Sequence, residues 1–264
     1  NLNNFLDVNN LAPLLTVAGT IFAYFSILII SFGDFSRYVK NEQELKKGNL
    51  SLILNLIVFS FLSVFIVIGS DVFLNQKFSD IDRIFTNPTD IVGKFDNIQI
   101  TIVVLFFIII ASASTNLVAN FIPSQYSLIN FAPSILSLKS ASYLIAFFGL
   151  LIAIFWLTIL SQIGILSFVD TFGAFFGPLF GVMAADYYLI KNQELSNKDL
   201  YSIDKESAYY YSGGWHIKGV YSLIIGFIFS ASTIWNTNLM FLQSYAWIIG
   251  AFVAWITYYL LAKK

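Results

Sequence analysis

Seven mostly apolar stretches follow one another along the chain: Leu11–Phe32, Leu50–Gly69, Ile98–Ile122, Ala141–Ser161, Gly164–Ile190, Val220–Ile234 and Leu239–Leu261. A helix of about 20 apolar residues crosses a bilayer core of about 30 Å. Six stretches meet that length, and the sixth, Val220–Ile234, does so if it gains a turn. An open sheet cannot satisfy its backbone in lipid, so the runs read as helices. The pattern predicts an all-α integral membrane protein with seven spans.

The charged residues then give the spans a direction. All fourteen Lys and Arg lie outside the apolar runs. Eleven fall on alternate segments: Arg37, Lys40, Lys46 and Lys47, then Lys139, then Lys191, Lys198, Lys205 and Lys218, then Lys263 and Lys264. The opposite side carries Lys77, Arg83 and Lys94, and segment 70–97 also holds five Asp. Cytoplasmic loops carry the excess of Lys and Arg. The N-terminus is therefore expected outside and the C-terminus in the cytoplasm.

Composition narrows the class. Of 264 residues, 58% are hydrophobic and 11% charged, and the mean hydropathy is +0.77. Soluble domains carry about 25% charged residues. A soluble enzyme, a disordered tail and a nucleic-acid binder are excluded, and a net charge of −1 offers no field for a polyanion. With no Cys, thiolate metal sites, disulfides and cysteine nucleophiles are excluded too. Twenty-eight Phe and fourteen Tyr suit a lipid-facing surface with aromatic belts. Asn1–Asn10 is polar and has no cationic start, unlike a signal peptide. A chain that starts with Asn in such a stretch is expected to be a fragment or a processed piece.

Polar residues at depth mark function in a membrane protein. The third span carries them: Ala111, Ser114 and Thr115 share one face, and Ser112, Asn116 and Asn120 form a neighbouring stripe. Hydroxyls and freed carbonyls suit a hard monovalent cation. Carboxamides, with two donors and an acceptor, suit the amide edge of a heterocycle. The competing reading is close helix packing, where small and hydroxyl residues are common. Composition alone leaves both open.

Other polar positions have plainer readings. Asp170 and Asp186, near opposite ends of the fifth span, are expected to reach water or headgroups. Asp34 and Arg37 are spaced for a local ion pair. His216, the only histidine, reads as a solvated loop residue. Gly177 and Gly181 form a small-xxx-small helix contact. Pro178 is expected to loosen the helix near Ala174, as a broken transporter helix or as a packing kink.

Four strings together resemble one family. They are Gly33-Asp34-Phe35-Ser36-Arg37-Tyr38; Ser114-Thr115-Asn116 with Asn120; Gly177-Pro178-Leu179-Phe180-Gly181 with Asp186-Tyr187-Tyr188-Leu189; and Leu200-Tyr201 with Tyr210-Tyr211 and Gly213-Gly214-Trp215. In this order they resemble the nucleobase–cation symporter family 1, the cytosine, uracil, purine, allantoin and hydantoin permeases.

That resemblance implies a leucine-transporter-type inverted-repeat fold, of which the seven spans would be helices six to twelve. Residues 1–190 would hold the second five-helix repeat. Residues 191–264 would hold a cytoplasmic loop and two further helices. Helices one to five would be missing, and with them half of the site. The resemblance implies a sodium site to which Ala111, Ser114 and Thr115 contribute, with proton coupling as the alternative. It implies that Asn120 hydrogen-bonds a planar heterocyclic cargo, with Asn116 beside it. Phe25 falls where the hydantoin permease has a stacking tryptophan; Ala23 and Tyr24 stand in place of the glycines next to that aromatic, and Gly19 would supply the flexible point instead. The activity implied is secondary active transport across the cytoplasmic membrane by alternating access, with no covalent chemistry and no cofactor beyond the coupling ion. The competing class is a complete seven-helix receptor or channel. An intramembrane enzyme lacks paired catalytic groups at one depth.

Overall fold

The computed structural model describes residues 8–77, 88–94, 97–155, 165–200, 202 and 204–263. Its helices are α1 (Val8–Ile30), α2 (Phe32–Ser36), α3 (Glu42–Lys77), α4 (Pro88–Val92), α5 (Ile98–Asn116), α6 (Ile122–Phe131), α7 (Leu138–Phe155), α8 (Ile165–Ala185), α9 (Asn197–Leu200), α10 (Ile217–Trp235) and α11 (Ala246–Ala262). A π-helical turn, Leu117–Phe121, joins α5 to α6 without a break, and a second, Asp186–Ile190, ends α8. A 3-10 segment, Thr237–Tyr245, leads into α11. Among the described residues, seven helical segments are long and apolar enough to cross a membrane. The number matches the sequence pattern, but the bounds shift. The second starts at Glu42, inside the charged loop, and the sixth gains its turn by starting at Ile217. Residues 156–161 of the fourth predicted span, Arg83 and Tyr201 lie outside the described residues.

The chain divides into two compact units. The first comprises Asn1–Phe32 and Phe147–Lys264. Here α8 packs on α10 and α11, with α1 alongside α8. Gly177 and Gly181 make the contact possible. A Cβ at either would collide with the backbone carbonyl of Trp247 or Ala251 on α11. The pair is thus the predicted helix contact. Trp247 anchors the core, stacked 5.7 Å from Phe22 and tilted against Phe180 at 5.3 Å between ring centres. Pro178 does not break α8, which runs unbroken to Ala185. Its ring fills the space left by Gly226 of α10 and Gly250 of α11, so it is a packing residue. Gly19 is likewise inside continuous helix. It lies against the Ser244 carbonyl and is a contact point, not the flexible point expected of it.

Asp170 also departs from expectation. It is not interfacial but buried, 3% exposed, with Oδ2 accepting from Gln243 Nε2 at 3.0 Å. The sequence offered no sign of this, because Gln243 is 73 residues away.

The second unit is Gly33–Ala146. Its α3 exposes apolar side chains around the whole circumference, Phe59 and Phe65 among them, as a lipid-facing helix does. Arg37 does not pair with Asp34 among the described ion pairs. Its guanidinium lies 4.4 Å above the Tyr126 ring, and the Tyr38 and Tyr126 hydroxyls share a hydrogen bond. The neighbouring Gln125 reaches the Leu138 carbonyl at 2.9 Å and the Ser142 hydroxyl on α7. Two adjacent side chains of α6 therefore hold Arg37 and Tyr38 on one hand and α7 on the other.

Candidate functional site

The polar stretch of the third span is built at the end of α5. Asn97 starts the helix: its carboxamide oxygen accepts from the Gln99 and Ile100 amides, both at 3.1 Å. Asn is a favoured N-cap because it satisfies N–H groups that have no intrahelical partner. Helical spacing then sorts the polar residues onto two stripes.

On the first stripe the Ala111 carbonyl accepts from Ser114 Oγ at 3.0 Å and from Thr115 Oγ1 at 2.9 Å. Three oxygens are gathered within one turn. Each hydroxyl spends its proton on the carbonyl and keeps lone pairs free to accept. Neutral oxygens of this kind are ones a hard cation can use.

On the second stripe Asn116 Nδ2 donates to the Ser112 carbonyl at 2.9 Å, and Asn120 Nδ2 donates to Asn116 Oδ1 at 2.6 Å. The two carboxamides form a ladder. Asn120 stands at its open end, with Oδ1 and one N–H left to meet a ligand. Asn120 lies within the π-helical turn, where Ile122 N–H bonds to the Leu117 carbonyl, five residues back. Such turns recur at functional sites because they re-aim side chains.

Phe25 lies on α1 in the first unit, half-buried and edge-on to Tyr24 at 5.2 Å between ring centres. Ala111, Ser112, Ser114, Thr115, Asn116 and Asn120 all lie in the second unit. The structure thus brings together Ala111, Ser114 and Thr115, and pairs Asn116 with Asn120.

A second polar cluster was not foreseen. At the end of α8, Asp186 Oδ2 pairs with Lys191 Nζ at 2.7 Å and Oδ1 accepts from the Tyr258 hydroxyl at 2.6 Å. His216 stacks on Tyr211 at 4.0 Å and its Nε2 lies 3.3 Å from the Tyr258 hydroxyl. Lys191 also donates to the Tyr211 hydroxyl at 3.2 Å. His216 is therefore not a solvated loop residue, nor does Asp186 simply face water. These groups line a cavity of about 710 Å³ together with Glu194, Ser196 and Lys218. Burial lowers the Lys191 pKa, but the hydrogen bonds to Asp186 and Tyr211 outweigh it and leave the pKa raised.

Comparison with known proteins decides the family. Residues 3–259 match the family described as permeases for cytosine/purines, uracil, thiamine and allantoin. The chain belongs to that family. It is 27% identical over 244 residues to the allantoin permease of Bacillus subtilis, covering 92% of this chain and 48% of that protein. It is 25% identical over 255 residues to the purine-uracil permease NCS1 of Arabidopsis thaliana, covering 92% and 41%. The hydantoin permease of Microbacterium maritypicum is 28% identical over 144 residues, covering 53% and 28%. The chain spans about half the length, or less, of these relatives. No solved structure matches it. The relatives are permeases, that is, membrane transporters and not enzymes, and the receptor and channel readings find no support among them.

Proposed function

We propose that the chain is the part of a secondary active transporter that carries helices six to twelve, and that it moves a planar nitrogen heterocycle coupled to sodium. Allantoin, hydantoin and the nucleobases define the cargo class, by the names of the relatives. The observation that carries the reading is the pair of stripes on α5: three oxygens on the Ala111 carbonyl beside a carboxamide ladder ending at Asn120. Sodium binds at Ala111, Ser114 and Thr115. The cargo's amide edge meets Asn120, with Asn116 positioning it. Two ligands on adjacent stripes of one helix are coupled when both favour the same state, and that coupling is reciprocal. Sodium fits better than a proton here because the stripe offers neutral oxygens and no titratable group.

In this reading, residues 1–190 form the second inverted repeat, and 191–264 the cytoplasmic loop with two last helices. Helices one to five complete the site from outside these residues. The side with eleven cations faces the cytoplasm, so the N-terminus is outside and the C-terminus inside. The test is uptake of labelled allantoin, hydantoin, uracil and cytosine by cells expressing the complete reading frame, in sodium and in choline. Accumulation of one of them that needs sodium and is lost in Ser114→Ala/Thr115→Ala supports the reading. Uptake indifferent to sodium and to these residues overturns it.

A further inference from the structure

Asp186, Lys191, Glu194 and Lys218 all line the cavity of about 710 Å³ at the end of α8. Asp186 and Lys191 satisfy each other at 2.7 Å, and Asp186 also takes the Tyr258 hydroxyl at 2.6 Å. Glu194 and Lys218 pair neither with each other nor with any other described residue. The cavity therefore presents one uncompensated charge of each sign.

Two hydroxyls lining the same cavity have protons to give. The Tyr209 oxygen accepts from the Ser196 N–H at 3.0 Å, and the Tyr211 oxygen accepts from Lys191 Nζ at 3.2 Å. Each of these contacts occupies a lone pair and leaves the O–H as a donor. The Lys191 ammonium also lies 4.4 Å from the centre of the Tyr209 ring, so its charge strengthens both donors. Two phenols and the Lys218 ammonium suit the oxygens of a phosphate, which lysine meets as a point charge and hydroxyls meet by charge-assisted hydrogen bonds. Glu194 repels a bare anion. It suits a phosphate that carries an ammonium group close by.

The place of the cavity says where such a group comes from. Ile190, Ile217 and Ala262 line it, and each is the terminal residue of a spanning segment. Tyr188 and Trp215 stand exposed next to these ends, as aromatic residues do at the level of lipid headgroups.

We propose that this cavity binds a phosphoethanolamine group, the headgroup of a membrane phospholipid, with its phosphate on Lys218, Tyr209 and Tyr211 and its ammonium on Glu194. The assignment does not rest on the cation and cargo stripes of the third span. A headgroup held in this way fastens the loop after α8, which carries Glu194, Tyr209 and Tyr211, to the start of α10, which carries Lys218.

The test is lipid binding by the protein expressed from its complete reading frame and purified in detergent, read by native mass spectrometry and by the rise in Tm on adding lipid. Phosphatidylethanolamine should bind more tightly than phosphatidylglycerol, which has the phosphate without the ammonium. Lys218→Met should weaken phosphatidylethanolamine binding about three- to tenfold, the weight of one charge-assisted contact. Glu194→Gln should weaken it by a similar factor and leave phosphatidylglycerol unchanged or tighter, so that the preference between the two lipids is lost. Neither side chain has an ion-pair partner to strand, so both variants keep the fold. Lys198→Met, in the same loop but outside the cavity lining, should change nothing.

Equal affinity for the two lipids, or a preference that survives both Lys218→Met and Glu194→Gln, overturns the assignment. An equal loss in Lys198→Met overturns it too, because the binding then follows general surface charge. Soluble phosphoethanolamine and inorganic phosphate identify the source. If either displaces the lipid and raises Tm at concentrations as low as the lipid needs, the ligand is a water-soluble phosphate and the lipid assignment falls. If both need far higher concentrations, the acyl chains contribute to binding and the lipid source stands.

Discussion

The hydroxyl of Tyr258 donates to the carboxylate of Asp186 across 2.6 Å, joining α11 to the end of α8. Tyr258 has a single proton, and this bond uses it. The neighbouring His216 Nε2, 3.3 Å from the same hydroxyl, must then be the donor in that contact. From His216 the chain of contacts passes by stacking to Tyr211, then by hydrogen bond to Lys191, and returns to Asp186 by ion pair. Five side chains close a ring that ties the connection after α8 to the end of α8, the start of α10 and the end of α11.

Opening the ring should cost stability. Tyr258→Phe keeps the buried ring, which is 1% exposed, and removes only the hydroxyl. The Asp186 carboxylate loses a charge-assisted bond, worth about 1.5–3 kcal/mol. The expected result is a lower Tm of the purified protein in detergent, with the helical content at low temperature unchanged. Lys191→Met should act in the same direction, since it removes the other partner of Asp186.

The ring should also make stability depend on pH. Burial holds the His216 pKa below its ordinary 6.5. Asp186 works against that shift, whereas Lys191 and Lys218 add to it. Tyr211 and Tyr258 complete its surroundings. The unfolded chain therefore takes up the proton first as pH falls. Stability should drop as pH goes below about 6.5 and level off once the folded pKa is passed. His216→Asn removes the titrating group, so the slope of Tm against pH in this window should flatten. An equal slope in the variant would place the pH sensitivity elsewhere.

How far the sequence disclosed this molecule depends on the range of each interaction. The spans were legible because a bilayer imposes one length and one polarity on every helix that crosses it. The stripes of α5 were legible because Ser112, Asn116 and Asn120 interact at helical spacing. Asp170 with Gln243 and Asp186 with Tyr258 were not, because each partner lies more than seventy residues away. Pro178 misled for a related reason. Proline inside a helix signals a break, but facing glycines on two other helices turned its ring into a contact, and only the fold aligns them. His216 alone in a loop gave no hint of the tyrosines on both sides of it.

The glycine contact between α8 and α11 admits no side chain. At Gly181 an added methyl meets the Ala251 carbonyl, which is backbone and cannot swing aside. Gly181→Ala should separate the helices and destabilise the protein by about 1–3 kcal/mol. Gly33→Ala is the control, because a Cβ there meets nothing within 4 Å. Thermal melts of both variants should show a fall in Tm for the first alone.

Gln243 carries the buried Asp170. One carboxylate oxygen accepts from its side chain, and the other, Oδ1, has no partner in the described structure. Gln243→Ala would leave the group with no side-chain donor at all, at a cost of about 1–3 kcal/mol or more. Gln243→Glu should be at least as harmful, since it sets a second carboxylate against the first. Recovery of stability in the double variant Gln243→Ala/Asp170→Leu, measured against Gln243→Ala, would show that the penalty belongs to the stranded carboxylate.

The two asparagines of the carboxamide ladder should differ in what their loss does. Asn120 stands at the open end of the carboxamide ladder, and Asn116 has both ends of its amide engaged, donating to Ser112 and accepting from Asn120. If the ladder recognises cargo, Asn120→Ala removes a direct ligand and should lower apparent cargo affinity by about tenfold or more, the loss of one to two hydrogen bonds. Asn116→Ala removes only the group that holds Asn120 in place. It should cost less, and Asn116→Gln or Asn116→Ser should restore part of the loss by offering another acceptor. Competition uptake with unlabelled heterocycle at saturating sodium separates the two. Equal losses at both positions would mean that Asn116 touches the cargo itself. No loss at Asn120 would remove the ladder from the transport site.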